Sequence, residues 1–273
     1  MAIPLPYSTK RLGGWLLLAW LLTRLGHPAW AEQLAPELLL VLTEQQPPYS
    51  FMSGQGNIDG MGTRMTRAIL EKAGLRGQFM LYPWARSLTL SRTRPNTLIY
   101  GLDRSREREK SFIWITPLAT HERWIYRLRG TVPGSIRTLA QIRHQGMVCV
   151  VNDDIAEDDL RREGFVEGRS YISTNSYADC IRLVESGTVP YLVESPDSLA
   201  WELSLDWKLR SKFEAVTPLP ASRHEPMYLA ASPNTDPAVI ARLRAAAAAL
   251  KASGQLEQIR KDFSLRLNTT PSQ

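Results

Sequence analysis

The sequence predicts an α/β protein of two lobes, on three observations. Apolar runs of strand length alternate with segments of helical period from about residue 38 onward. The alternation comes as two successive series. Aromatic and charged residues gather where the strands of the first series end, the place where open α/β sheets hold ligands.

In the first series, residues 38–42 are a continuous apolar run, followed by the polar and aromatic loop from Glu44 to Tyr49 with its two prolines. Residues 53–60 are rich in turn formers. Met61, Met65, Ala68 and Ile69 then recur at helical spacing, and Gly74 stands where a C-cap belongs. Residues 78–82 read as a strand, 84–91 as a short helix and 97–100 as the next strand. The order strand, helix, strand, helix, strand is that of a parallel layer. At its end, Leu98, Ile99 and Tyr100 suit a buried strand, and Gly101 lets the backbone turn or approach a ligand closely. A charged turn and helix start follow, capped by Asp103 or Ser105, before an aromatic strand. Arg104 and Arg108, four apart, share one helical face, and Glu107 and Glu109 lie off it, which also fits a solvated helix start laced with ion pairs.

The second series begins with a strand at 124–128, a helix at 135–143 and a buried strand at 147–151. A helix at 155–163 is closed by Gly164, a short strand covers 170–173, and a helix at 177–185 is stopped by Gly187. Strands at 189–193 and 228–231 follow. Asp236 then caps an Ala-rich helix with Pro237 at its first position; it runs to about Ser253, and Gly254 breaks it before a last amphipathic stretch through Phe263.

Residues 1–31 read as a secretory leader: Lys10 and Arg11, an apolar run from Leu12 to Leu22, then Ala29, Trp30 and Ala31 before Glu32. The run is too short to span a bilayer, which needs ~20 apolar residues. The expected mature chain starts at Glu32, after cleavage behind Ala31, and is exported. Losing Lys10, Arg11 and Arg24 lowers the formal charge from +6 to +3, 30 basic against 27 acidic side chains. So small an excess argues against nucleic acid. Cys149 and Cys180 form no disulfide framework; they fit a single bridge in an oxidising compartment and fit two buried small apolar residues equally.

The four histidines are scattered and, with two distant cysteines, offer no zinc-ligand spacing. There is no GxSxG elbow, phosphate loop or GxGxxG after a strand. No cofactor, metal or catalytic residue is expected, and any enzymatic chemistry would rest on Asp, Glu, Arg or Tyr. What is present suits recognition of a small polar molecule. Tyr49 and Trp84 supply aromatic faces and Arg86 a planar fork for a carboxylate. Each has a plainer reading: hinge packing for Tyr49, core for Trp84, surface for Arg86.

Four landmarks carry a family resemblance. They are Pro47-Pro48-Tyr49-Ser50-Phe51 after the first strand; Asp59-Gly60-Met61-Gly62 leading into a helix that ends at Gly74; Trp84 in the following helix; and the run from Ser105 to Lys110 with Phe112 and Pro117. In order and spacing the mature chain resembles the bacterial extracellular solute-binding proteins of family 3, and its Tyr82-Pro83-Trp84-Ala85-Arg86-Ser87-Leu88 stretch resembles a proteobacterial subgroup of them. The resemblance implies a periplasmic location and a type II periplasmic-binding-protein (Venus-flytrap) fold, each lobe a mixed sheet flanked by helices. Lobe 1 would comprise 32–118 and 233–273, and lobe 2 119–232. It implies that Arg108 holds a ligand carboxylate, that Tyr49, Trp84 and Gly101 line the cleft, and that Glu194 and Ser195 stand where an acid receives an ammonium.

The chain departs from the family pattern at Asn96 and Pro190, where Asp is usual, and at Asp103, where a small hydroxyl residue is typical. Glu194 replaces an Asp, one place earlier. Asp103 then either contacts an amine or caps a helix. The implied activity is capture of a small polar or zwitterionic, amino-acid-like solute by a monomer for an ABC-type permease. The alternatives are a sensory binding protein, and a cyclohexadienyl-dehydratase-like lyase with Glu194 or Asp103 as the acid.

Overall fold

The computed structural model describes residue 1 and residues 38–205, 211–220 and 226–269, with 264–269 as backbone alone. The expected leader and its cleavage point lie outside the described residues, Met1 excepted.

The first sheet is built from β1 (Leu38–Thr43), β4 (Arg76–Leu81), β5 (Thr97–Asp103), β6 (Ile113–Thr120) and β12 (Pro226–Ala231), in the order β4-β1-β5-β12-β6. A two-stranded ribbon of β2 (Phe51–Met52) and β3 (Ile58–Asp59) stands beside it. The second sheet holds β7 (Trp124–Leu128), β8 (Val148–Val151), β9 (Tyr171–Thr174), β10 (Tyr191–Glu194) and β11 (Phe213–Pro218), in the order β11-β7-β10-β8-β9. In each sheet three neighbouring strands pair in parallel, and one reversed strand, β12 in the first and β7 in the second, pairs antiparallel on both sides and joins them to β6 and β11. These are the mixed sheets of a two-lobed periplasmic-binding-protein fold. β12, expected in the second lobe, pairs in the first sheet between β5 and β6, and Ala119 and Thr120 also belong there as the end of β6.

Helices cover both faces of each sheet, which is why β8 is apolar at all four positions. In the first lobe α1 (Met61–Lys72) packs Met65 and Ile69 with Val41, Leu98 and Leu229 on one face. On the other face α2 (Trp84–Thr93) packs Trp84 and Leu88 with Ile99, Leu102 and Ala230. In the second lobe α3 (Leu139–Gln145) and α4 (Ile155–Arg162) cover Val148 and Val150 with Ile142 and Leu160. The opposite face is closed by α5 (Tyr177–Glu185) and α6 (Pro196–Glu202), whose Val184 and Leu199 meet Cys149 and Leu192. The chain then returns through β12 to α7 (Pro237–Ala252) and α8 (Gln255–Thr269) on the first lobe. Cys149 and Cys180 are bonded, with their Cα atoms 5.4 Å apart.

Local chemistry sets the ends. Thr138 and Gln141 form a capping box at α3, and Asp154, Ser176, Ser195 and Asp236 each accept a backbone N–H at the start of a helix. The helix expected after β5 is instead a turn and a single 3-10 turn, Glu109–Ser111. Asp103 caps nothing, because its carboxylate is committed to long-range partners, and Ser105 accepts only the N–H of Arg108 at 3.3 Å.

Candidate functional site

The carboxyl ends of six parallel strands, three per sheet, bring the polar residues of the two lobes together. Glu44 follows β1, Trp84 opens the helix after β4, and Asp103 ends β5. From the other lobe Asp153 and Asp154 follow β8, Tyr177 opens the helix after β9, and Glu194 ends β10 with Ser195 next to it. The helix starts at Asp154 and Ser195 therefore face the same region as the strand ends. His121 to Arg123 lie on the crossing between β6 and β7.

The lobes touch through named contacts. The Trp84 indole N–H and an Arg108 guanidinium nitrogen both donate to the main-chain carbonyl of Asp153, at 2.9 and 2.6 Å. Asp153 has φ 60°, uncommon for a side chain other than Gly, and its own N–H is held by Glu157 at 2.9 Å. Tyr49 reaches Asp197 at 3.5 Å, and Gln46 donates to the Tyr177 hydroxyl at 3.3 Å, which in turn donates to Asp154. Phe51 and Trp201 face each other across the gap with ring centroids 4.8 Å apart. Trp84→Phe removes the donor to Asp153 and also part of a fully buried ring, so unfolding should show a loss of at least about 1 kcal/mol. Unchanged stability would mean that neither the bond nor the lost ring contributes.

At the centre, Asp103 accepts from Arg123 at 2.5 Å and from His121 Nε2 at 2.9 Å, all three nearly fully buried. Arg123 also approaches Asp154 at 3.6 Å, so it ties a first-lobe strand end to a second-lobe helix start. Burial works to raise the Asp103 carboxyl, but Arg123 and His121 outweigh it and hold it well below the usual carboxylate range. Glu44 and Glu194 behave oppositely. Burial pushes both up, and Asp154 adds to each shift; for Glu194 the Ser195 N–H opposes it at 2.6 Å.

Seven of the eight expected site residues lie in or beside this region. Tyr49, Trp84, Asp103, Arg108, Glu194 and Ser195 are buried there. Gly101 lies under it: its φ is 78°, and it is the residue skipped where β5 and β12 shift register, so it makes a bulge. Thr43 and Gln46 stand 3.9 Å from where its Cβ would be, so backbone conformation and not space calls for glycine. Arg86 is not brought in. On α2, Trp84, Ser87 and Leu88 share the inward face, and Arg86 points out to stack on Tyr82 at 4.0 Å. Neither Glu107 nor Glu109 pairs with Arg108; Glu109 takes Arg104 at 2.6 Å instead.

Glu44, His121, Arg123, Asp154 and Tyr177 were not singled out by sequence. An acid directly after a strand was a usable signal for Glu44 and, nearly, for Asp154. Gly60 positions the Tyr49 loop, since a Cβ there would sit 2.4 Å from the Tyr49 carbonyl oxygen.

Two lobes, each presenting buried polar side chains at the carboxyl ends of its strands, are the architecture of a solute-binding protein. The chain belongs to the bacterial extracellular solute-binding proteins, family 3, whose sequence model matches residues 38–265. No curated protein sequence matches it significantly. Among solved structures it is similar to a histidine kinase sensor domain with similarity to periplasmic binding proteins, at 24% identity and TM-score 0.71, covering 84% of this chain and 96% of that one. It is also similar to an ancestral arginine-binding protein bound to glutamine, at 17% identity and TM-score 0.73, covering 84% and 98%. A third is the arginine-, lysine-, histidine-binding protein ArtJ from Geobacillus stearothermophilus, at 15% identity and TM-score 0.72, covering 83% and 95%. No helix among the described residues is long and apolar enough to cross a membrane.

Proposed function

We propose that this protein is an exported, periplasmic solute-binding protein that captures a small polar, nitrogen-bearing solute of the amino-acid kind between its lobes. The observation that carries the reading is the meeting of six strand ends, with Glu44, Asp103 and Arg108 from one lobe and Asp154 and Glu194 from the other buried against each other. A solute that touches both lobes favours the shut arrangement, because only there does it gain both sets of contacts. The natural reader of the shut form is an ABC-type permease. Likeness to a sensor domain supports a second reading, in which a signalling partner reads it. Loss of uptake of labelled solute on deletion of the gene separates the first from loss of a transcriptional response alone. Asp103, clamped as a carboxylate between Arg123 and His121, is a poor proton donor, so the lyase alternative would rest on Glu194 alone.

A thermal-shift screen of the mature protein against amino acids, amines and small organic acids tests the proposal. A solute at 100 times its Kd adds ~2.7 kcal/mol, which for a domain of this size raises the melting point by roughly 5–10 °C. If no small solute of any class moves the transition, the reading is wrong.

A further inference from the structure

We propose that the solute is an organic cation without a carboxylate, an amine or a guanidine, seated between Glu44 of the first lobe and Glu194 of the second. This rests on the solute-binding reading and narrows it. Three observations point the same way.

First, the groups able to receive a carboxylate are already committed. Arg108 donates to the Asp153 carbonyl at 2.6 Å and to the Asp103 carbonyl at 3.5 Å, with its guanidinium carbon 5.9 Å from the Trp84 ring centre. Arg123 is already neutralised by Asp103 and Asp154, so its unpartnered nitrogen, Nη1, can be satisfied by a neutral acceptor, a hydroxyl or carbonyl, without a further negative charge.

Second, acid is left over. Glu44 and Glu194 are buried, and among the described residues neither is in an ion pair. Glu194 Oε2 has no hydrogen-bond partner although the residue is 3% exposed, and Ser198 Oγ, one turn into the helix that Ser195 caps, is likewise buried and unpartnered. A buried carboxylate oxygen without a donor is costly, and a cation removes that cost most fully. A zwitterion would bring a further negative charge into a region already rich in carboxylates.

Third, the wall suits an organic cation. Tyr49 and Tyr177 are buried beside second-lobe acids, Tyr49 reaching Asp197 at 3.5 Å and Tyr177 donating to Asp154 at 3.3 Å, and aromatic faces attract ammonium and guanidinium groups. Among the described residues no three acids or histidines are placed as the ligands of a metal ion.

The same groups give the pH dependence. Glu44 is faced by Asp154, Glu194, Arg123 and Asp103, and Glu194 by Asp154, Arg123, Glu202 and the Ser195 N–H. Burial lifts both carboxyls, so a cation that settles between them displaces protons, and affinity rises with pH.

Titration calorimetry on the mature protein with agmatine against arginine, cadaverine against lysine, and histamine against histidine, at pH 6 and pH 8, tests the inference. Each pair shares its cationic group and differs at the carboxylate. The expected result is that the decarboxylated member of at least one pair binds about tenfold or more tighter, about 1.4 kcal/mol. Its affinity should rise from pH 6 to 8, with an enthalpy that depends on the buffer's own ionisation. Glu194→Gln and Glu44→Gln should each remove the preference while the free proteins still melt cooperatively. An amino acid binding more tightly than its amine in every pair, or a neutral or acidic solute binding while all six fail, overturns the inference and leaves solute binding standing. Failure of every class of solute overturns both.

Discussion

Arg123→Ala is expected to destabilise the protein by about 3–5 kcal/mol, the cost of leaving buried carboxylates without their cation. For a domain of this size that is a fall of roughly 10 °C or more in melting temperature. Arg123 is 3% exposed, lies 2.5 Å from Asp103 and 3.6 Å from Asp154, and joins the crossing segment to both lobes. The control is the double replacement Arg123→Met with Asp103→Leu, which removes both charges of the shorter pair and should recover much of the loss. A single variant that melts with the wild type would show that Arg123 does not neutralise Asp103. The pH profile separates the groups further. Asp103 is held below its unfolded value of about 3.9, so its pair stabilises above that value and the contribution is lost as pH falls through the folded one. Glu44 and Glu194 are raised above about 4.3, so the stability linked to them is complete below that value and is lost as pH rises through their folded ones. The free protein should therefore be most stable on the acid side of neutrality, at about pH 4–5. Arg123→Ala should remove the low-pH limb while sparing the decline toward neutral pH.

Breaking the Cys149–Cys180 bond should cost about 3.5 kcal/mol, the loop-closure entropy of a cross-link spanning 31 residues. The bond joins the interior strand β8 to α5 inside the second lobe, and both cysteines are fully buried in its core. Denaturant unfolding with and without a reductant, and of the double variant Cys149→Ala with Cys180→Ala, measures the loss. Identical midpoints in both comparisons would show that the bond contributes no stability.

The elements were legible where local chemistry decides them. Apolar runs gave β1, β5 and β8, and an Asp-Pro start with a Gly stop bounded α7. At α6 one residue carries two signals, since Ser195 before Pro196 suits a cap and first turn as well as a ligand contact. β11 carries a glutamate and a proline and lacks a strong apolar run. The destination of β12 depends on a strand pairing across more than 120 residues of intervening chain, which no local pattern encodes. The same limit applies to the site. Residues on strand ends could be picked out one at a time, Asp103 and Glu194 among them. The partnership of Asp103 with Arg123 is a tertiary event, and it changes Asp103 from a helix cap or ligand contact into one half of a buried ion pair.

The acceptor that Trp84 and Arg108 share is a peptide oxygen, and no substitution at residue 153 deletes a peptide oxygen. Mutational drift can therefore act on this clasp mainly from the donor side. The Asp153 carboxylate itself is free to change, and glycine, which tolerates a positive φ, is the replacement the backbone there would accept most readily. Related chains that keep the tryptophan and arginine while varying position 153 would thus keep this clasp between the lobes.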